Sequence, residues 1–249
     1  MAEYDLLVIG GGPGGLGAAT EAAGLGARVA VVEPGALGGA CLNWGCIPSK
    51  ALIHAAKVAH TIRTAGHVGI EIGTPRPEWP AIVARIRRVV ADLQHDNDEL
   101  AQKGITRLTG RARFASPTQI AIKGPDGEAT LQPKAVIIAT GARPIVPRIS
   151  GLAACQPLQA WQLLELDRAP ARLAIIGGGP EGVEFAQACQ RLGMTVTLIE
   201  QASRLCSQEE PEFSLELAER LMDEGVDVRL GSSVHRAEMT ATGKHLYLE

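Results

Sequence analysis

Two cysteines five positions apart, Cys41 and Cys46, stand inside GGACLNWGCIPSK at residues 38–50. A disulfide requires Cα atoms within about 7 Å. Five residues of ideal helix rise about 7.5 Å and turn about 500°, so a regular helix cannot bridge the pair. Asn43, Trp44 and Gly45 are therefore expected to form an irregular turn, for which Gly45 is suited. An accessible bridge at a helix start is easily reduced, and the positive end of the helix dipole favours a thiolate. Two other readings stand beside redox chemistry: a pair of buried thiols, or half of a zinc site. Zinc would need two further ligands, and no second Cys pair or His pair accompanies this one, so no metal is expected.

A 24-residue pattern then occurs twice, 167 positions apart (177 − 10): GGGPGGLGAATEAAGLGARVAVVE from Gly10 to Glu33, and GGGPEGVEFAQACQRLGMTVTLIE from Gly177 to Glu200. Each copy opens with G-x-G-x-x-G after an apolar run and closes on a glutamate at the end of another. One such fingerprint is weak; two matched in length predict two dinucleotide sites. Gly10 and Gly177 allow the tight turn, Gly12 and Gly179 let backbone approach a pyrophosphate, and Gly15 and Gly182 let helix lie close to strand. The phosphates would rest on unpaired N–H groups at the helix start. Glu33 and Glu200 are placed to accept hydrogen bonds from a ribose diol, and a carboxylate at Glu200 favours NAD over its 2′-phosphorylated form.

Around these motifs the sequence alternates strand and helix. Residues 4–9 and 28–33 read as buried parallel strands flanking a helix over 14–25, and 51–65 as a helix. A longer amphipathic helix is expected over 81–103, with Ile82, Ile86, Val89, Val90 and Leu93 on one stripe. Strands follow over 106–114, 119–122 and 129–131, with a turn at Gly124-Pro125-Asp126-Gly127, and then over 134–139. Pro144, Pro147 and Pro157 punctuate a connector. A second βαβ unit begins at 172–176, with a helix over 211–224 and a strand over 226–230. The fold class is α/β: two Rossmann-like, three-layer dinucleotide-binding domains, residues 1–150 and 151–249, the second incomplete because its sheet lacks strands.

The 249 residues are 46% hydrophobic and 20% charged, a balance suited to a well-cored protein. A net charge of −3 gives no footprint for nucleic acid. No apolar run reaches membrane-span length, and no signal peptide is visible after Met1, so a cytoplasmic location is expected. His54 and His60 are six residues apart and hence on opposed helix faces, which argues against a shared metal. His95-Asp96 reads as a solvated helix end rather than a proton relay, Cys189 as a small core residue, and Trp44 as packing for the irregular turn.

The segment around Cys41 and Cys46, together with both fingerprints and Ala139-Thr140-Gly141, resembles the class I pyridine nucleotide–disulfide oxidoreductases. That family includes dihydrolipoamide dehydrogenase, glutathione reductase and mercuric reductase, and CLNWGCIPSKALI is very like the first. The resemblance implies FAD at the first site, with Ala112, Thr140 and Gly141 among its contacts, and a nicotinamide nucleotide at the second. It further implies Cys46 against the flavin as thiolate, Cys41 exchanging with substrate, Lys50 beside the flavin and Glu184 pairing with that lysine. The partner would be a small-molecule or protein-bound disulfide such as a lipoyl group. A mercuric-reductase-like enzyme and a non-catalytic nucleotide-binding module are the alternatives.

Several residues depart from the family pattern. Ala40 stands where a threonine is usual, Arg111-Ala112-Arg113 replaces a glycine-bearing stretch near the adenine, and Pro180 occupies the position of an aromatic gate. Nothing after Glu200 resembles the family's C-terminal dimerisation domain with its His–Glu pair, through which full-length relatives homodimerise. The 249-residue chain is expected to bind FAD weakly and to lack disulfide turnover by itself. In steady-state kinetics of a full-length protein NADH should outperform NADPH; NADPH better by an order of magnitude would overturn the reading of Glu200.

Overall fold

The computed structural model describes residues 4–94, 97–125 and 127–249, so His95, Asp96 and Asp126 lie outside the described residues. Contacts group the chain into two units: residues up to Pro48 with Arg88–Arg143, and Ser49–Arg87 with Pro144–Glu249. The later break lies between Arg143 and Pro144, the first of the three connector prolines. The grouping of 49–87 with the later residues follows from burial rather than from chain order.

In the first unit β1 (Leu6–Ile9) runs into α1 (Pro13–Gly24) and β2 (Val29–Glu33). Next along the chain come the short α2 (Gly39–Asn43), then α3 (Cys46–Thr64) and α4 (Trp79–Asp92), most of whose residues belong to the second unit, and α5 (Asn97–Gln102). Then β3 (Ile105–Thr109), β4 (Arg111–Ser116), β5 (Gln119–Gly124), β6 (Gly127–Leu131) and β7 (Ala135–Ile138) follow. A four-stranded sheet in the order β3-β2-β1-β7 is parallel throughout, with Val8 opposite both Val31 and Ile137. Such strands are near-continuous apolar runs because helices or further strands cover both faces. Here Val8, Val29 and Val31 pack with Ala19 of α1 on one face, while Leu7, Ile9, Ala30 and Val32 pack with Ile120 and Ile122 on the other. The covering layer on that second face is the antiparallel sheet β4-β5-β6.

Three elements differ from the sequence reading. The strand expected over 106–114 is two strands in different sheets, because the chain turns at Gly110, where a Cβ would come within 2.7 Å of the Lys123 carbonyl oxygen. The helix expected from residue 51 already starts at Cys46. Pro48 is tolerated there because the first-turn N–H groups have no intrahelical partner anyway. The expected 81–103 helix is resolved as α4 and α5, separate elements with 95–96 between them outside the described residues.

The second unit repeats the scheme with β8 (Arg172–Ile176), α6 (Pro180–Arg191), β9 (Thr195–Ile199), α7 (Pro211–Asp223) and β10 (Asp227–Arg229). Its parallel sheet runs β10-β9-β8, and the hairpin of β11 (Val234–Thr240) and β12 (Gly243–Leu248) forms a separate two-stranded sheet. Leu52, Ala56 and Ala59 of α3 and Val83 and Ile86 of α4 share one core with Val183, Ala186, Val196 and Leu221. That shared core draws residues 49–87 into this unit. Among the described residues no helix is long and apolar enough to cross a membrane.

Gly15 and Gly17 of α1 make opposite tests of the packing. A Cβ at Gly15 would lie 2.0 Å from the Gly10 carbonyl oxygen, whereas one at Gly17 would meet nothing within 4 Å. Gly15→Ala should therefore cost about 1–3 kcal/mol by overpacking. Gly17→Ala should be neutral or stabilising by up to about 1 kcal/mol, since alanine favours the helix. Thermal unfolding of the two variants checks this; equal midpoints would contradict the tight helix–strand approach.

Candidate functional site

The two glycine fingerprints fold into the same local structure with the same backbone partners. Gly10 and Gly177 take φ of +115° and +112°, open to glycine at little cost. Their amides donate to the carbonyls ending the next strand, Gly10 to Val32 at 2.9 Å and Gly177 to Ile199 at 2.8 Å. Gly15 and Gly182 each leave no room for a Cβ, which would lie 2.0 Å from the carbonyl oxygen of Gly10 or Gly177. Gly12 and Gly179 precede Pro13 and Pro180, and neither helix start receives a side-chain cap. A Cβ at Gly12 would approach only Gly39 Cα, at 3.8 Å, and one at Gly179 would meet nothing within 4 Å. Each helix start thus combines N–H groups that no side chain caps with a glycine that leaves room at its Cβ, an arrangement suited to a phosphate.

Both glutamates are held in one way. Glu33 accepts from the backbone N–H of Gly11 at 2.8 Å through Oε2 and of Gly35 at 2.9 Å through Oε1. Glu200 accepts from Gly178 at 2.6 Å and Ala202 at 2.7 Å through the corresponding oxygens. Each carboxylate is therefore fixed at the strand end, and its remaining lone pairs can accept from a diol.

The likeness continues beyond the fingerprint into residues that sequence reading passed over. Leu37 and Leu205 are both buried against the loop, and the following residue, Gly38 or Cys206, donates its N–H to Gly11 or Gly178 at 2.7 and 2.9 Å. Cys206 holds φ of +44° where its counterpart is a glycine at +90°. The signal was present as a leucine after each glutamate, but the second loop is one residue longer and hides the match. Gly178, Gly179, Glu200 and Cys206 border a small cavity of about 130 Å³.

Thr140 and Gly141 follow β7, whose end lies against the first glycine turn: a Cβ at Gly10 would sit 2.2 Å from the Ala139 carbonyl oxygen, and Gly141 takes φ of +70°. Ala112, on β4, packs its side chain into the core around Ile120 and Ile122.

The cysteine segment breaks where an irregular turn was expected. Cys41 lies in α2, which ends at Asn43; Trp44 takes φ of −151°, and Cys46 begins α3. The amides of Trp44 and Gly45 both donate to the Ala40 carbonyl, at 3.0 and 2.7 Å. Asn43, which the sequence marked only as a turn residue, ties the turn down. Its Nδ2 donates to the carbonyls of Gly39 (2.8 Å) and Leu37 (3.0 Å), and its Oδ1 accepts from Gln94 Nε2 at 2.7 Å. The half-buried Cys41 borders a cavity of about 500 Å³ with Leu16, Leu42, Ile47, Leu93 and Leu100 in its wall. The exposed Cys46 is not part of that lining.

Lys50 follows Cys46 by one turn of α3. In the second unit its Nζ donates to both carboxylate oxygens of Glu184, at 2.6 and 2.7 Å. The remaining cysteines lie apart from this chemistry. Cys189 is fully buried, and burial pushes its thiol up to about 12, while Cys206 is raised by burial and by Glu209 and Glu200. Among the described residues no cluster of three or more His, Cys, Asp or Glu could hold a metal.

Comparison with known proteins bears on the whole span. The family model for pyridine nucleotide-disulphide oxidoreductase matches residues 4–248. A mercuric reductase of Lysinibacillus sphaericus is 32% identical over 248 residues, covering 99% of this chain and 45% of the relative. A dihydrolipoyl dehydrogenase of Bacillus subtilis (strain 168) is 37% identical over 260 residues, covering 99% of this chain and 54% of the relative. Among solved structures, the Cu(II) complex of the HOCl-induced flavoprotein disulfide reductase RclA from Escherichia coli aligns with a TM-score of 0.81 at 30% identity, covering 100% of this chain and 54% of that one. The chain thus spans about half the length of the relatives it matches. With the family model matching almost from end to end, this chain belongs to the pyridine nucleotide-disulphide oxidoreductase family.

Proposed function

We propose that the protein passes electrons between NAD(H), FAD and the Cys41–Cys46 pair, and from that pair to a disulfide of the lipoyl type, as a dihydrolipoyl-dehydrogenase-like enzyme. The observation that carries this reading is the unequal setting of the two cysteines. Cys41 opens on a largely apolar cavity of about 500 Å³, whereas Cys46 heads the helix that bears Lys50. Apolar walls suit a disulfide carried on a hydrocarbon arm.

The residues of both clefts fit dinucleotides. Gly12 and Gly179 leave the space a pyrophosphate needs, and Glu33 and Glu200 stand ready for ribose hydroxyls. FAD and NAD(H), when bound, supply the two-electron chemistry that side chains lack. Lys50 presents a positive charge one helical turn after Cys46, and its ammonium donates to the Glu184 carboxylate. In the exchange itself, the Cys41 thiolate attacks one sulfur of the substrate disulfide, and the departing sulfur takes a proton. Cys46 Sγ then attacks Cys41 Sγ, which releases the second substrate thiol and closes the Cys41–Cys46 bridge.

A mercuric-reductase-like activity is the second reading, favoured by the 32% identity to the Lysinibacillus sphaericus protein over 248 residues. Disulfide turnover is proposed for the whole protein, of which this chain matches about half in its relatives. The nucleotide chemistry is testable on the chain itself. Reconstituted with excess FAD under argon, it should turn yellow and be bleached by NADH. Glu33→Ala leaves the Gly11 and Gly35 amides without their acceptor and should weaken FAD retention by about tenfold, the equivalent of 1.4 kcal/mol. A chain that takes up no flavin, or whose bound flavin NADH leaves oxidised, would refute the reading.

A further inference from the structure

The Lys50–Glu184 pair is too exposed to set its own geometry. Its side chains are 58% and 32% exposed, and a solvated ion pair of that kind contributes little toward holding two helices in register. A second polar cluster, deeper in the same unit, ties α6 to the residue that follows α7 and reaches α3 through His60 and Arg63. Arg191 of α6 and Glu224 at the end of α7 form a two-pronged pair, Nε to Oε2 at 2.6 Å and Nη2 to Oε1, with both side chains only 16% exposed. Gln187 Nε2 donates to the same carboxylate at 2.8 Å, and His60 Nδ1 of α3 lies 4.0 Å from it. Arg63, also on α3, donates to the Arg191 backbone carbonyl. Burial opposes the charge on Glu224, yet the Arg191 guanidinium, His60 and Gln187 together hold its carboxyl below the usual range.

Spacing connects the two clusters. Glu184, Gln187 and Arg191 recur at i, i+3 and i+7 on α6 and so share one face. Along that face α6 meets Lys50 near the start of α3, and Arg63 near its end. Leu52, Ala56 and Ala59 of α3 and Val183 and Ala186 of α6 belong to one apolar core, which carries no directional bond between the two helices. A forked, partly buried ion pair with further donors is directional and costly to break, because removing one partner strands a charge.

We propose that Arg191 and Glu224 are positioning residues: they set the lengthwise register of α3 against α6, and thereby hold the Lys50 ammonium on the Glu184 carboxylate. Its catalytic meaning rests on the role given to Lys50 above; the mechanical coupling does not.

Zero-length carbodiimide coupling on the full chain reads this directly, because an amide between Lys50 and Glu184 forms only while the two groups touch. Peptide mass spectrometry gives its yield. Glu224→Gln and Arg191→Met should each lower that yield by about fivefold, and Arg191→Lys, which keeps the charge but loses the fork, should fall between them and the parent. Asp5→Ala is the control: it loses the Lys134 and Arg28 contacts in the other unit and should leave the yield unchanged. Unchanged yield in all Arg191 and Glu224 variants that retain the parent circular dichroism would overturn the proposal, as would an equal fall in the control. Failure of NADH to bleach a flavin-loaded chain, with the coupling intact, would count against the function of Lys50 and leave the register mechanism standing.

Discussion

Helix α1 can approach β1 only because Gly15 brings no side chain against the Gly10 carbonyl, and α6 meets the same condition through Gly182 and Gly177. Everything that marks the two clefts depends on that close approach. It sets the helix starts, whose first-turn amides no side chain caps, beside the strand ends, and it brings the loop amides of Gly11 and Gly178 within reach of Glu33 and Glu200. Each glutamate thereby holds two backbone amides at a strand end, while a carboxylate has lone pairs to spare. The chain uses this solution twice with matching atoms. The first copy is additionally closed by β7, whose Ala139 carbonyl bars any Cβ at Gly10; a Cβ at Gly177 would meet nothing within 4 Å.

The two βαβ units were legible in the sequence because glycine at fixed offsets between apolar runs leaves few other ways to fold. The turn between Cys41 and Cys46 was legible too, since helix geometry excludes a regular path between them. What tertiary contact decides was not. Residues 106–114 look like one strand by composition, yet the chain changes sheets at Gly110, where Lys123 and Ile122 leave no room for a Cβ. Residues 49–87 belong with the second unit because the faces of α3 and α4 are buried against α6 and β9, a partnership that periodicity cannot name. Asn43 could be read as a turn former, but its amide's three partners include Gln94, 51 positions away. Cys206 escaped notice as the counterpart of Gly38 because a one-residue insertion shifts the register, and a cysteine does not suggest a left-handed backbone.

Five cysteines occupy settings that divide their chemistry. Cys155 and Cys189 are buried, the half-buried Cys206 has Glu209 and Glu200 near it, and only Cys41 and Cys46 stand on either side of the turn into α3, with Cys41 on the edge of a cavity of about 500 Å³. The central claim is that electrons from the nicotinamide reach this pair and no other. Differential isotope-coded alkylation of the FAD-loaded chain, before and after anaerobic NADH, measures it site by site. Label should be gained at Cys41 and Cys46 together and be unchanged at Cys155, Cys189 and Cys206. No gain at the pair while the flavin is bleached, or a gain at any of the other three, would contradict the account.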